Sequence, residues 1–406
     1  MDSLITAAAR SLATGDPLSA LKRVSLREDP AALALRGIAM AQLGDLAKAK
    51  DLLRRAARAF GPHEPIARAR CQVAESEIAL VLRDIGEPMR GLENARAALE
   101  QHSDHANAAH AGYLQARRLL LIGRLDEAQT ILEAMETSAL PPASRAGAWL
   151  VAAGIAMRRI EAAPARTALA KARLAAEQSG IAALLAEVER AVQIFEAPAA
   201  RLLGHGEDRL LGLDEVEALI ASDALLVDAT RGLVRAGATV VALGNRPVLF
   251  ALARTLAEAW PGDVSRETLL MRAFRARHAD ESHRARLRVE IGRLRSDLGP
   301  LAEVHATDSG FILQPCRARR VAVLAPPQED EHAEVLALLA DGEAWSSSAL
   351  ALALDVSPRT IQRALEALDA AGKAASFGRG RACRWTARQV PGFPTTLLLP
   401  APLPAG

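Results

Sequence analysis

The chain has no apolar run long enough to cross a bilayer and no leader-like stretch at either end, so a cytoplasmic location with no membrane partner is expected. Only three cysteines occur, Cys71, Cys316 and Cys383. Three thiols cannot all pair within the chain, and their spacing matches no metal-ligand pattern, which argues against a disulfide framework or a zinc module. His102, His105 and His110 cluster without a cysteine or an acidic motif of matching geometry, and read as surface or packing residues. There is no G-x-x-x-x-G-K-[ST] loop, no H-E-x-x-H pair, no nucleophile elbow and no dinucleotide fingerprint, and Gly204-His205-Gly206 is too short to stand for one. No catalytic residue, cofactor or metal is therefore expected, and the chain is not read as an enzyme. Charge is also scarce in net terms. Fifty basic and 48 acidic side chains leave a formal +2, unlike a general nucleic-acid coat protein, so any attraction to a polyanion must be local.

What is present falls into distinct materials. With 406 residues, half of them hydrophobic, the chain is long enough for more than one core. Residues 1–198 are rich in Ala, Leu, Arg and Glu, poor in β-branched residues, and punctuated at Gly15-Asp16, Gly44-Asp45, Gly86-Glu87 and Gly123-Arg124. The pattern predicts three to five helix pairs ending near Pro198. The segment LRGIAMAQLGDLAKAKDLLRRAARAFGP (35–62) resembles a tetratricopeptide unit, with Gly37, Met40, Ala49, Leu53 and Ala56 at its packing positions. GYLQARRLLLIGRLDEAQTILEAME (112–136) repeats it through Ala116, Leu119, Ala128 and Leu132. Such a solenoid implies a protein or peptide partner or a homodimer contact, and a plain spacer stays open. The all-helical pattern leaves no place for a receiver domain with acidic strand ends, so control by aspartyl phosphate is not expected.

The most informative stretch is ESHRARLRVEIGRLRSDL, 281–298. Leu287, Ile291, Leu294 and Leu298 recur at helical spacing and predict one buried stripe, while Arg286, Arg288 and Arg293 point elsewhere. Guanidiniums on such a helix suit phosphates and guanine edges, although an Arg-rich helix taken in isolation is more often a solvated surface. The surroundings tilt the reading. LLVDATRGLVRAGATVVAL (225–243) predicts short antiparallel strands turning at Arg231-Gly232 and Ala236-Gly237; helices follow over 247–259 and from Ser265; AEVHATDSGFILQP (302–315) predicts a terminal hairpin. Here the chain resembles the OmpR/PhoB-type winged helix of bacterial response regulators, through VVALGNRPVLF (240–250), PGDVSRETLL (261–270) and EIGRLRSDLG (290–299). The resemblance implies a recognition helix near 282–297, with Arg284, Arg286, Arg288, Val289, Arg293 and Arg295 toward double-stranded DNA. Helix geometry places Arg295 nearer the core stripe than Arg293. The resemblance also implies that 275–280 is the loop through which some family members touch RNA polymerase. Gly292, Ser296-Asp297 and Asp308 depart from the family's basic pattern, and an acidic wing would repel a minor groove.

A second module follows a charged, proline-bearing stretch, 316–329. HAEVLALLADG, SSSALALALD and SPRTIQRALEAL (357–368) predict three helices, the last capped by Ser357 with Pro358 at its first position. Ile361, Leu365 and Leu368 face inward; Arg359, Thr360, Gln362 and Arg363 face out. After Gly372, two strands around a glycine turn would carry Arg379, Arg381 and Arg384, with Cys383 inside the same wing. This resembles the small winged helix-turn-helix domains of bacterial regulators, whose recognition helix would lie near 357–370. The expected fold class is thus mainly α: a tetratricopeptide-like helical repeat, 1–198; a connector, 199–223; an α+β winged helix, 224–315; a linker, 316–329; a second winged helix, 330–388; and a tail, 389–406. The function expected is that of a sequence-specific, DNA-binding transcriptional regulator whose repeats dimerise or bind a signal or partner. Its rival is an interaction scaffold in which repeats and winged helices all dock proteins.

Overall fold

Aspartates and prolines set where the first helices begin. In the computed structural model, which describes residues 2–13, 16–84, 90–135, 140–204, 207–244, 246–274, 281–327, 332–339, 344–354, 356–378, 380 and 383–387, the chain is mainly helical with small sheets. No helix among these residues is long and apolar enough to cross a membrane. Eleven helices come first: α1 (Ser3–Ala13), α2 (Pro17–Val24), α3 (Pro30–Gln42), α4 (Leu46–Phe60), α5 (Pro65–Val81), α6 (Arg90–Gln101), α7 (His105–Leu121), α8 (Leu125–Glu133), α9 (Pro142–Arg159), α10 (Ala162–Ser179) and α11 (Ala182–Glu196). Asp16, Asp29, Asp45 and Asp104 cap α2, α3, α4 and α7 by accepting from the backbone N–H three residues on. Each of α1 to α7 packs on its successor, and α3, α5 and α7 also pack in turn. Small residues permit this approach. A Cβ on Gly37 would stand 2.8 Å from Leu53 Cγ, and one on Gly147 would stand 2.8 Å from the Tyr113 ring.

These helices enclose several polar groups. His110 Nε2 and Glu77 Oε2 pair at 2.8 Å with both side chains almost wholly buried, while His102 and His105 are exposed. Tyr113, next to that pair, takes a hydrogen bond from Arg117, which pairs with Glu187 of α11 at 2.7 Å; burial pushes the Tyr113 phenol up to about 12. The turns expected at Gly44 and Gly123 are left-handed, with φ of +86° and +79°. Gly15 and the Gly86-Glu87 turn lie outside the described residues.

The chain divides into two units: Met1–Arg158, Pro164–Val192 and Glu334–Gly406 in the first, Arg159–Ala163 and Gln193–Ala333 in the second. The second holds β1 (Ala200–Gly204), β2 (Glu207–Leu211), α12 (Leu213–Ala221), β3 (Leu225–Asp228), β4 (Leu233–Ala236), β5 (Thr239–Ala242), α13 (Pro247–Ala259), β6 (Val264–Ser265), α14 (Arg266–Phe274), α15 (Glu281–Leu298), β7 (Ala302–Ala306), β8 (Gly310–Pro315) and β9 (Val321–Ala325). β3, β4 and β5 form the antiparallel ladder read from 225–243, turning at Gly232 and Gly237 with positive φ; Asp228 locks the first turn by accepting from the Thr230 and Arg231 amides.

The stretches read as connector and linker are not bare connections. They supply β1, β2 and β9 to a six-stranded sheet ordered β2-β1-β9-β3-β4-β5, and the helix α12. β9 runs antiparallel to β1 and parallel to β3, and all five of its residues, VAVLA, are buried. A short apolar run between an arginine-rich stretch and a pair of prolines looks like a linker in sequence, and only its long-range pairing makes it a central strand. A smaller sheet, β6-β8-β7, closes on the helices. Leu252 and Leu256 of α13, Leu269 of α14 and Leu287, Ile291, Leu294 and Leu298 of α15 share one core with Val304, Phe311 and Leu313 of this sheet.

The chain then returns to the first unit with α16 (Ala333–Leu339), α17 (Ser347–Ala353), α18 (Pro358–Ala370), β10 (Ala374–Phe377) and β11 (Arg384–Ala387). Trp345 bridges to Trp385 through two backbone hydrogen bonds of 2.9 and 2.8 Å, fastening the β10–β11 hairpin to the residues just before α17. Residues 389–406 lie outside the described set.

Candidate nucleic-acid interface

The apolar spacing of α15 fixes which way its arginines face. Leu287, Ile291, Leu294 and Leu298 are each no more than 3% exposed, so the helix is held from one side and the rest of its circumference is open. Arg284, Arg286, Arg288, Arg293 and Arg295 are exposed, and Val289, opposite the stripe, is 54% exposed. They are not equivalent. Arg295 Nε donates to the Val304 carbonyl at 2.7 Å, which ties that side chain to β7, whereas Arg293 leans only on Glu290, one turn away, at 3.0 Å. Arg286 lies over the Phe274 ring, its Cζ 4.8 Å from the centroid, so α14 orients it. Arg284 has a further interaction of its own. Arg288, Val289 and Arg293 are displayed on one exposed side with Ala285, Gly292 and Ser296 between them.

A flanking feature was not read from the sequence. Arg246, the residue before α13, pairs with Asp297 at 2.5 Å, and a groove of about 550 Å³ runs between the start of α13 and Glu290, Arg293, Ser296 and Asp297 of α15. A lone arginine before a helix-starting proline gives no hint of this, because the pairing spans 51 residues of chain. The β7–β8 hairpin is short, as expected, and Asp308 at its tip is exposed. Its turn is gripped from both sides. Arg266 donates to the Asp308 and Thr307 carbonyls at 2.9 and 3.1 Å, and the Asp263 carboxylate accepts from the Thr307 and Ser309 hydroxyls. Those two hydroxyls hold the Asp263 carboxyl below its ordinary value. Ser265 caps α14 by accepting from the Thr268 amide at 3.1 Å. The 275–280 loop lies outside the described residues.

In the C-terminal module Ser357 caps α18 by accepting from the Thr360 amide at 3.2 Å, and its hydroxyl also meets Thr360 Oγ1 at 2.8 Å. Ile361, Ala364, Leu365 and Leu368 are buried, leaving Arg359, Thr360, Gln362 and Arg363 exposed together on the first two turns. Arg384 lies in β11 across from Phe377, half-buried, with Nη1 on the Cys383 carbonyl at 3.0 Å. Phe377, 53% exposed, was not singled out from sequence. Arg379 and Arg381 lie outside the described residues. No protein-family model, no curated protein and no solved structure matches this chain, so the functional argument stands on these residues.

Proposed function

We propose that the chain is a sequence-specific, DNA-binding transcriptional regulator of the cytoplasm, with α15 and α18 as recognition helices and α1 to α11 as a tetratricopeptide-like solenoid for a partner, a signal or a second copy. The observation that carries the reading is the division of α15. One side is sealed by Leu287, Ile291, Leu294 and Leu298, and the open side presents Arg288 and Arg293 about Val289. Guanidiniums so held are matched to phosphates and to guanine O6 and N7, and a helix supported from behind can enter a major groove. The order of α13, α14, α15 and the β7–β8 hairpin supports the winged-helix reading, and α16, α17, α18 and the β10–β11 hairpin repeat that order. With a formal charge of only +2, affinity rests on these local arginines and falls with salt.

A pull-down of bound DNA from the source cell tests the reading. Discrete peaks sharing one motif, weakened by both Arg293→Ala and Arg363→Ala, are expected; diffuse recovery untouched by either change would refute it. A second reading, an interaction scaffold, draws on one observation: the centre of the open side of α15 is apolar and small, with Val289 between Ala285 and Gly292. A protein bound equally well by wild type and by Arg293→Ala, but not by Val289→Asp, would favour it.

A further inference from the structure

Four turns in the helical array share one hydrogen-bond pattern. After α3 the Gly44 amide reaches the Ala41 carbonyl and the Asp45 amide reaches Met40; after α7 the Gly123 amide reaches Leu120 and the Arg124 amide reaches Leu119. After α6 the Ser103 amide reaches the Glu100 carbonyl and the Asp104 amide reaches Leu99. After α5 the Arg83 amide reaches Leu80 and the Asp84 amide reaches Ala79. The middle position is left-handed each time, with φ of +86° at Gly44, +79° at Gly123, +60° at Ser103 and +51° at Arg83. Glycine adopts that conformation freely and a Cβ resists it, so the turns at Ser103 and Arg83 depart from the residue their geometry favours.

The Arg83 side chain shows what occupies that position. It is only 4% exposed, Nη1 donates to the Leu80 carbonyl at 2.8 Å, and Cζ stands 5.4 Å from the centroid of the Trp345 ring. Trp345 is wholly buried, and one continuous core joins Leu80, Leu114 and Leu119 of the array to Trp345, Leu350 and Leu365 of the C-terminal module. At the comparable turns nothing lies within 4 Å of where a Cβ would stand on Gly44 or Gly123. A buried guanidinium is costly unless it is paired or stacked, and an indole face is its best aromatic partner.

We propose that the end of α5 is a docking site whose occupant is the chain's own C-terminal module, seated through Trp345 on Arg83. The array thereby carries α18, and α18 is held by residues more than 250 positions away in sequence. Trp345 also anchors the β10–β11 hairpin through its bridge to Trp385, so one indole ties the hairpin, α17 and the array together. A partner that captured the end of α5 would have to displace Trp345, and would loosen α18 in doing so. This last consequence rests on the DNA-binding reading; the docking itself does not.

Hydrogen exchange on the full chain tests it. Arg83→Gly suits the turn better than the native residue and removes the guanidinium together with its donation to Leu80 and its buried stem. Exchange across 347–370 is expected to speed up about tenfold, the scale of a desolvated cation–π contact, with α3 and α4 no faster. Arg83→Lys should fall between the two. Trp345→Leu should speed exchange at 79–84 as well, because coupling between two docked surfaces is reciprocal. Unchanged exchange over 347–370 in Arg83→Gly, or an unchanged α5 end in Trp345→Leu, would overturn the docking site. Duplex binding measured on the same samples separates the two readings: a chain that shows the exchange coupling but never binds DNA keeps the docking site and loses the regulator.

Discussion

Arg293 and Leu294 are adjacent in sequence and do opposite work, which makes them a test of the α15 reading. Leu294 is wholly buried in the core shared by α13, α14 and the β6-β8-β7 sheet. Truncation to alanine removes buried methyl groups and leaves a cavity that close-packed neighbours only partly fill, at a cost of about 2–5 kcal/mol. Taking about 3 kcal/mol, the folded-to-unfolded ratio drops by roughly two orders of magnitude. The melting temperature should fall by on the order of 10 °C. Arg293 has a side chain that is 63% exposed and pairs with the buried Glu290 carboxylate. Its truncation removes a partner of that carboxylate and should cost about 1 kcal/mol. Its effect belongs in binding. A lost bidentate base contact is worth about 1–3 kcal/mol, or roughly 5- to 150-fold in Kd. A lost phosphate contact lowers the slope of log affinity against log salt by about one. The assay is anisotropy of a labelled duplex, selected from a random pool with the native chain and titrated at several salt concentrations, alongside thermal melts of both variants. If Arg293→Ala binds with native affinity and native salt slope while Leu294→Ala is destabilised as expected, the packing argument stands and the DNA-facing role of α15 falls. A melt of Leu294→Ala within about 2 °C of native would refute the packing argument itself.

Two glycines of the second unit should respond to alanine with opposite signs in thermal melts. At Gly310 a Cβ would fall 1.8 Å from the Val264 carbonyl oxygen, so β6 and β8 must part, and destabilisation of at least about 1–3 kcal/mol is expected. At Gly292, inside α15, nothing lies within 4 Å, and relief of helix entropy should stabilise by about 0.5–1 kcal/mol. The Asp263 carboxyl has a folded-state pKa below its ordinary 3.8, through the Ser309 and Thr307 hydroxyls, so its contribution is whole above that value and is lost as pH falls through the depressed one. The protection factor of the Gly310 amide should follow that acid limb, and Asp263→Asn should remove it. Burial pushes the Cys71 thiol up to about 12, so a thiol reagent followed by mass spectrometry should modify exposed Cys316 first and spare Cys71 until the chain unfolds.

Local periodicity carried some of the fold into plain view and tertiary pairing hid the rest. The α15 stripe, the Ser357 cap and the β3-β4-β5 ladder were legible because each is written within about twenty residues, by apolar spacing, a capping hydroxyl or glycine turns. So was the placement of Arg295 nearer the core stripe than Arg293, since helix geometry brings it toward the core, where it meets Val304. β1, β2 and β9 were missed because each depends on partners far away in the chain, and β9 has no alternation to mark it, both its faces being covered. The same limit hid the Arg246–Asp297 pair beside α15 and the Arg83–Trp345 stack. Each joins one unremarkable arginine to a residue on a distant element.

The place of β9 also bears on how the molecule is made. A ribosome delivers β1, β2 and β3 well before β9, yet β9 is the strand that lies between β1 and β3. Until residue 325 is clear of the exit tunnel, the β2-β1 pair and the β3-β4-β5 ladder have no common edge and two strand edges wait unsatisfied. The nascent second unit therefore offers two strand edges to neighbouring chains until β9 arrives, and a fragment stopped at residue 315 is expected to keep both edges open.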